Sequence, residues 1–164
     1  AQPMQEPAMK IEHDTIKARI VGINHVAIEV DDVEAALKFY GSIFEFTLRG
    51  RGNGMAFIDM GDQFIAIEEK RTQQPDKHRH FGLVVDDREA VRRRIEELHI
   101  EPLPGGFLDF LDPWGNRIQI VEYRGIQFTK APYVLRGMGL EGLEKTPEAI
   151  GQLEAKGMSP GKKG

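Results

Sequence analysis

Two segments of this chain, 55 positions apart, resemble each other, and this repeat constrains the fold more than any other feature. Residues 25–35 read HVAIEVDDVEA and residues 80–90 read HFGLVVDDREA, with the same His, Val, Asp, Asp, Glu and Ala at matched positions. A period of this length exceeds that of the common helical solenoids. It therefore indicates a duplicated supersecondary unit.

Each copy of the repeat is predicted to begin as a strand and to continue as a helix. Apolar side chains alternate along the strand, so that the remaining positions face the other way: His25, Ala27 and Glu29 in the first copy, and His80, Gly82 and Val84 in the second. Asp31 with Glu34, and Asp86 with Glu89, have the spacing of a helix capping box. We expect the two helices to begin there.

Further strands and turns complete each copy as a βαβββ module. Strands are predicted at about 45–49, 54–60 and 63–69 in the first copy, and at about 100–103, 106–111 and 117–123 in the second. We expect an N-terminal arm over 1–21, modules over 22–74 and 79–123, and an extension over 124–164. Thr146-Pro147-Glu148 begins a predicted short helix at about 147–156.

Composition excludes several classes of site and partner. The chain contains no cysteine, so a metal site must use His and oxygen ligands. A net charge of −4 is not that of a general nucleic-acid binder. No apolar run is long enough to cross a membrane, and the first twenty residues have no continuous apolar segment of a secretory signal. We therefore expect a cytoplasmic protein without nucleic-acid or membrane partners.

The face of each sheet opposite its helix is where we expect a site. His25 and His80 occupy equivalent positions there, and imidazole is the commonest metal ligand in proteins. Two such side chains with oxygen donors suit Zn, Ni, Mn or Fe(II); the alternative is that each only makes a hydrogen bond at a strand start. By the same alternation, Phe64, Glu68, Arg117, Gln119 and Tyr123 face the site. Arg117 is a candidate for holding an anionic group.

The chain resembles the vicinal oxygen chelate superfamily, which includes glyoxalase I, fosfomycin-resistance proteins, extradiol dioxygenases and bleomycin-resistance proteins. The resemblance covers about residues 22–123. It is carried by the paired modules, the strand-initial His25 and His80, Phe39-Tyr40 in the first helix and the turn Asp112-Pro113-Trp114-Gly115-Asn116. It implies an α+β fold of two tandem βαβββ modules that form a curved, cup-like mixed sheet, and often a homodimer.

The resemblance also implies four metal-ligand positions, two of which are altered here. His25 and His80 match two positions, whereas the usual glutamate of the last strand corresponds to Gln119, and the position of the fourth strand corresponds to Ala66. Neither residue can act as a base, so simple glyoxalase I activity is disfavoured. Glu68, two residues beyond Ala66, is the candidate replacement as ligand and catalytic carboxylate.

Two functions stay open at this point. The first is a metal-dependent lyase, transferase or dioxygenase that acts on a small oxygen-bearing, possibly anionic molecule, with His25, His80, Gln119 and Glu68 as ligands. In that reading Arg117, Phe64 and Tyr123 bind the substrate. The second is a metal-free protein of the bleomycin-resistance type that binds or sequesters a small molecule. Whether the cup is formed by one chain or shared in a homodimer is likewise open.

Overall fold

The computed structural model describes residues 17–160, and its first half contains four strands and one helix. Most of the predicted N-terminal arm, residues 1–16, and residues 161–164 lie outside the described part. The elements of the first half are β1 (His25–Glu29), α1 (Val33–Ile43), β2 (Thr47–Gly52), β3 (Met55–Asp59) and β4 (Phe64–Glu68). Those of the second half are β5 (Phe81–Val85), α2 (Arg88–Glu97), β6 (Leu108–Leu111) and β7 (Arg117–Glu122).

The strands form two separate mixed sheets, which confirms the predicted α+β fold. The first sheet has the order β1-β4-β3-β2 and the second the order β5-β7-β6. In both, the first strand of the module pairs in parallel with the last, and the other pairs are antiparallel. As a result β1, which begins with His25, lies at the edge of the first sheet. Strand β5, which follows His80, lies at the edge of the second.

The second module lacks the predicted strand at 100–103. Pro102 lies in this segment and Pro104 directly follows it, and neither has an N–H to donate to a ladder. The N–H of Ile100 is directed back to the carbonyl of Ile95 (2.8 Å), while Leu103 donates to the carbonyl of Asp109 (2.7 Å). The second module is therefore βαββ within the described residues, and this part of the prediction was wrong.

Both helices begin one residue later than predicted. The N-cap residues are Asp32 and Asp87, whose carboxylates accept hydrogen bonds from the N–H groups of Ala35 and Ala90. The last strand of each module supplies a second carboxylate to the start of the helix. Glu69, just after β4, accepts a hydrogen bond from the N–H of Val33 (3.1 Å), and Glu122, at the end of β7, accepts one from the N–H of Arg88 (3.2 Å). Because these strand-derived carboxylates bind the first helical N–H, the start of each helix is fixed by its own sheet.

One hydrophobic core joins the two modules. Helix α1 contacts α2 and β4, and α2 contacts β7, so that buried residues of both modules form one cluster. The isoleucines that alternate along β4 and β7 are all buried: Ile65, Ile67, Ile118 and Ile120. The two modules therefore share one core on their helix side, and His25, Ala27, His80 and Gly82 on the other side are exposed.

Asp112 connects the turn before β7 to the helix of the other module. Its carboxylate accepts hydrogen bonds from the N–H of Trp114 (3.0 Å), from the N–H and the side-chain amide of Asn116 (2.8 and 2.9 Å) and from the hydroxyl of Tyr40 (2.6 Å). Both Tyr40 and Asp112 are buried. Burial, together with the Asp112 carboxylate, raises the pKa of Tyr40 well above its usual range.

The same turn contacts the linker between the modules. Gly115 has φ +85°, and a Cβ atom there would lie 2.6 Å from Cα of Pro75. Asp76 donates its N–H to the carbonyl of Gly115 (2.8 Å) and accepts from the N–H of Arg117 (3.1 Å). Only glycine fits this close approach with a left-handed backbone, so the linker is held against the second module.

The C-terminal extension packs against the turn between β3 and β4. It contains a 3-10 turn (Tyr123–Gly125), α3 (Pro132–Gly137) and α4 (Pro147–Glu154). Helix α4 confirms the predicted helix, with the Thr146 hydroxyl as its N-cap; α3 was not predicted. The buried ammonium of Lys130 donates to the carbonyl of Met60 (2.7 Å) and pairs with Asp62. No helix in residues 17–160 has the length and apolar character needed to cross a membrane.

We expect Tyr40→Phe to lower the free energy of unfolding by about 1–3 kcal/mol, because it removes a donor from the buried Asp112 carboxylate. Urea unfolding monitored by circular dichroism measures the change. Tyr133→Phe is the matched control, since this tyrosine is 69% exposed and its loss of a hydroxyl should leave stability unchanged. Equal effects of the two substitutions would contradict the role assigned to Asp112.

Candidate functional site

His25 begins β1 and lies exposed on the face opposite the helix. Its ring stacks on that of Phe64, its neighbour in β4, with 4.7 Å between the ring centroids and an angle of 10° between the planes. Its Nδ1 is 2.9 Å from the side-chain oxygen Oδ1 of Asn24. The imidazole is therefore held both by stacking and by a hydrogen bond.

His80 precedes the first residue of β5 and is also exposed. Its Nδ1 is 2.8 Å from the backbone carbonyl oxygen of His78. The structure thus holds the second histidine through the same ring nitrogen as the first, although by a main-chain and not a side-chain acceptor.

These two contacts determine which ring nitrogen each histidine offers. An amide or carbonyl oxygen accepts hydrogen bonds and donates none, so Nδ1 must carry the hydrogen in both rings. In the neutral imidazole, Nε2 then has the free lone pair, as in histidines that bind metals and donate their other N–H to an oxygen. In both His25 and His80, Nε2 is therefore the ring nitrogen with a free lone pair.

The structure does not gather a complete set of ligands in one chain. His25 and His80 belong to different sheets whose edge strands β1 and β5 are not paired. Residues 17–160 contain no group of three or more His, Asp or Glu side chains that could hold a metal ion.

Arg117, Gln119 and Asp109 lie together on the second sheet. Asp109 was not identified by the sequence analysis. Gln119 is paired across the ladders with Gly82 on one side and with Asp109 on the other. Arg117 donates from Nε (2.8 Å) and Nη2 (2.5 Å) to the same carboxylate oxygen of Asp109, and from Nη1 to the carbonyl of Lys77. The guanidinium of Arg117, the predicted anion-binding group, therefore already makes hydrogen bonds within the protein.

Glu68 lies at the far end of the first sheet from His25. It pairs with Glu29, four residues along β1 from His25, which corresponds to about 13 Å at the usual rise of a strand. Glu29 itself is held by the linker, because its carboxylate accepts from the hydroxyl and N–H of Thr72 and from the N–H of Gln73. These bonds, led by that of the Thr72 hydroxyl, lower the pKa of Glu29.

The two predicted aromatic contacts for substrate are used within the protein. Phe64 supports the His25 ring and also lies beneath the Arg49 guanidinium, 4.6 Å from its centroid. Tyr123 follows the end of β7 and is buried: its hydroxyl accepts from the N–H of Lys130 (3.3 Å), and the Lys145 ammonium lies 3.7 Å from its ring centroid. The strand predicted to continue to Tyr123 ends at Glu122.

An open cavity borders the His25 end of the first sheet. It has a volume of about 570 Å³ and is lined by the segment before β1, by the turn before β4 and by the extension. Its polar lining includes Asn24, Gln63 and Thr129, and its apolar lining includes Ile23 and Phe128. The cavity thus adjoins Asn24, the residue that holds the His25 ring.

A duplicated module, two histidines that present Nε2 and an open face on each sheet all fit one family. The model of the Glyoxalase/Bleomycin resistance protein/Dioxygenase superfamily matches residues 22–120. The chain belongs to this superfamily. The match ends within β7, so the extension lies outside it.

Curated relatives of the chain are named as transferases. It is 24% identical over 110 residues to the glutathione transferase FosA of Serratia marcescens, which covers 60% of this chain and 78% of the relative. It is 25% identical over 129 residues to the metallothiol transferase FosB of Bacillus licheniformis, which covers 70% and 82%.

A solved structure supports the fold. The fosfomycin resistance protein FosX of Listeria monocytogenes superposes with a TM-score of 0.55 at 19% identity and covers 63% of this chain and 94% of that protein. At this identity the likeness shows the fold alone.

Two residues of the site were absent from the sequence-based prediction. Asn24 is adjacent to His25, and an amide beside a ligand histidine is a signal that can be read from sequence. Asp109 becomes a neighbour of Gln119 only through the register of β6 and β7. Its place on the site face requires the structure.

We expect neutral His25 and His80 to be protonated on Nδ1. Two-bond ¹H–¹⁵N correlation spectra at about pH 8.5, where an ordinary histidine is neutral, distinguish the two forms. Asn24→Ala should shift His25 toward a mixture of both forms and leave His80 unchanged. His78→Ala keeps its carbonyl and should change neither ring; protonation of His25 on Nε2 in the unaltered protein would contradict the assignment.

Proposed function

We propose that this chain is a metal-dependent enzyme of the vicinal oxygen chelate type that acts on a small molecule with adjacent oxygens. The observation that carries the proposal is the matched hydrogen bonding of His25 and His80, since each ring is held through Nδ1 and offers Nε2 on an exposed face. A histidine that only makes a hydrogen bond at the start of a strand does not need to leave the same ring nitrogen free in both modules.

The donor set fits a divalent cation of the first transition row. Imidazole nitrogen suits Zn, Ni, Mn and Fe(II), and the amide oxygen of Gln119 is a neutral third donor. The name of a solved FosX structure states that it contains Mn(II), which makes manganese the first metal to test. Glu68 is not among the ligands we propose, because it lies four residues along the sheet from His25.

The chain's own residues orient the two histidine rings. A bound divalent cation supplies Lewis acidity toward two adjacent oxygens. Asn24 and Phe64 fix the ring of His25, the carbonyl of His78 fixes that of His80, and Phe128 and Thr129 border the adjoining cavity. The relatives named as transferases favour group transfer over ring cleavage as the reaction class.

We further propose that each site is shared between two copies of the chain. The modules of one chain meet through α1 and α2, so their helix sides are joined, while β1 and β5 remain unpaired at their outer edges. A second copy placed against these edges would bring His25 of one chain to His80 of the other. Such a homodimer forms two equivalent sites by its symmetry.

We expect protein purified without chelator to hold about one divalent cation per chain, as two equivalent sites in a dimer require. His25→Ala and His80→Ala should each abolish the bound metal, measured by elemental analysis and by titration with Mn(II). His78→Ala is the control, since it removes an exposed imidazole and keeps the carbonyl that holds His80. A full complement of bound metal in either His25→Ala or His80→Ala would contradict the proposal.

Mixing the two site variants tests whether the site is shared. After unfolding and refolding together, half of the dimers contain one chain of each kind, and one of their two shared sites has both histidines. We therefore expect about a quarter of the metal of the unaltered protein to return. No recovery, with mixed dimers confirmed by mass spectrometry, would place both histidines of each site in one chain.

The second candidate function is a metal-free binding protein of the bleomycin-resistance type. It is favoured by Gln119 and Ala66, which replace two carboxylates implied by the family resemblance. An empty site in the unaltered protein, together with ligand binding that is insensitive to chelator, would support it over the enzyme.

A further inference from the structure

The two arginines on the site faces are each neutralised by an aspartate of the same sheet. On the second sheet, Arg117 donates twice to Oδ2 of Asp109. On the first, Arg49 lies over Phe64 and donates to Asp59 (2.8 Å), and its Nη2 donates to the carbonyls of Gly61 (2.9 Å) and Gln63 (3.1 Å). The faces that carry the two histidines thus have their cationic groups in internal pairs.

The pair of Arg117 and Asp109 on the second sheet restricts anion binding more than the pair of Arg49 and Asp59, because it is more deeply buried. The Asp109 side chain is 4% exposed and that of Arg117 is 23% exposed, compared with 31% and 38% for Asp59 and Arg49. An anionic ligand that took Arg117 would leave the Asp109 carboxylate buried without its partner, which is strongly unfavourable. Asp109 also lies directly beside Gln119, so this ion pair is next to the proposed ligand.

We propose that Asp109 is a specificity-determining residue that directs the site to uncharged molecules with adjacent oxygens, such as diols and hydroxycarbonyl compounds, and away from phosphonates, phosphates and carboxylates. This inference rests on the proposed function and names its substrate class. It replaces the sequence-based expectation that Arg117 orients an anionic substrate.

The test measures the binding of methylphosphonate, a small dianionic probe, by isothermal titration calorimetry. Asp109→Asn keeps the size of the side chain and removes its charge, so that Arg117 becomes available. We expect its affinity for methylphosphonate to exceed that of the unaltered protein by at least about tenfold, the scale of a charge-assisted bond. The double variant Asp109→Asn with Arg117→Gln should lose this gain.

Two further variants control for the loss of the ion pair and for general charge effects. Arg117→Gln breaks the same pair but leaves the Asp109 carboxylate charged, so it should not raise the affinity for methylphosphonate. Glu97→Gln breaks another arginine–carboxylate pair, the exposed one with Arg94 on α2, and should also not raise it. Circular dichroism of every variant establishes that it is folded.

Three outcomes would overturn the inference. These are an unchanged affinity in Asp109→Asn, a gain of affinity in Arg117→Gln, and a loss of bound Mn(II) in Asp109→Asn, which would assign Asp109 to the metal. The titrations are run on metal-free and Mn(II)-loaded protein. If the protein binds no metal the proposed function fails, while the comparison of Asp109→Asn with the unaltered protein in metal-free solution still tests the pairing.

Discussion

The buried carboxylate of Asp112 is the interaction on which the arrangement of the two modules depends. It closes the turn before β7 with three hydrogen bonds from that turn and takes a fourth from Tyr40, on the helix of the other module. Asn116 extends the connection by donating to the carbonyl of Glu29 at the end of β1 (2.9 Å). A buried carboxylate needs this many donors, so the turn, the helix and the strand are fixed together, and with them the directions in which the two sheets face.

The fold was predictable because its signals are local and repeated. The alternation after His25 and after His80 gave both edge strands, and Thr146-Pro147 gave α4. The strand predicted at 100–103 did not form because Pro102 within it and Pro104 after it cannot donate to a ladder. Helix α3 was missed because it is only six residues long and has no side-chain N-cap. Its one sequence signal is Pro132 at the start, and the burial of Leu135 supports it in the folded protein.

The sequence predicted which histidines lie on the candidate site, but it did not predict which charged side chains are paired there. The repeat alone selected His25 and His80, and Asn24 lies next to the first of them. The partner of Arg117 is Asp109, eight residues away on a neighbouring strand, and only the β6–β7 register brings them together. Tyr123 had the parity of a site residue but lies where the strand has ended and the Lys145 ammonium holds the carbonyls of Tyr123 and Ile126 (both 2.7 Å). Cross-strand pairing, not composition, decides which charges are available.

The extension, which lies beyond the region matched by the family, holds the turn that leads into Phe64. Lys130 is bonded to the carbonyl of Met60 and to Asp62, and Val134 and Met138 lie against Gly61. Phe64 in turn carries the ring of His25. The boundary drawn by family resemblance is therefore not a boundary between separately packed parts. A change in the extension can shift the ring of His25 through this turn and Phe64, which gives evolution a way to adjust the face that carries the histidines while the histidines themselves stay the same.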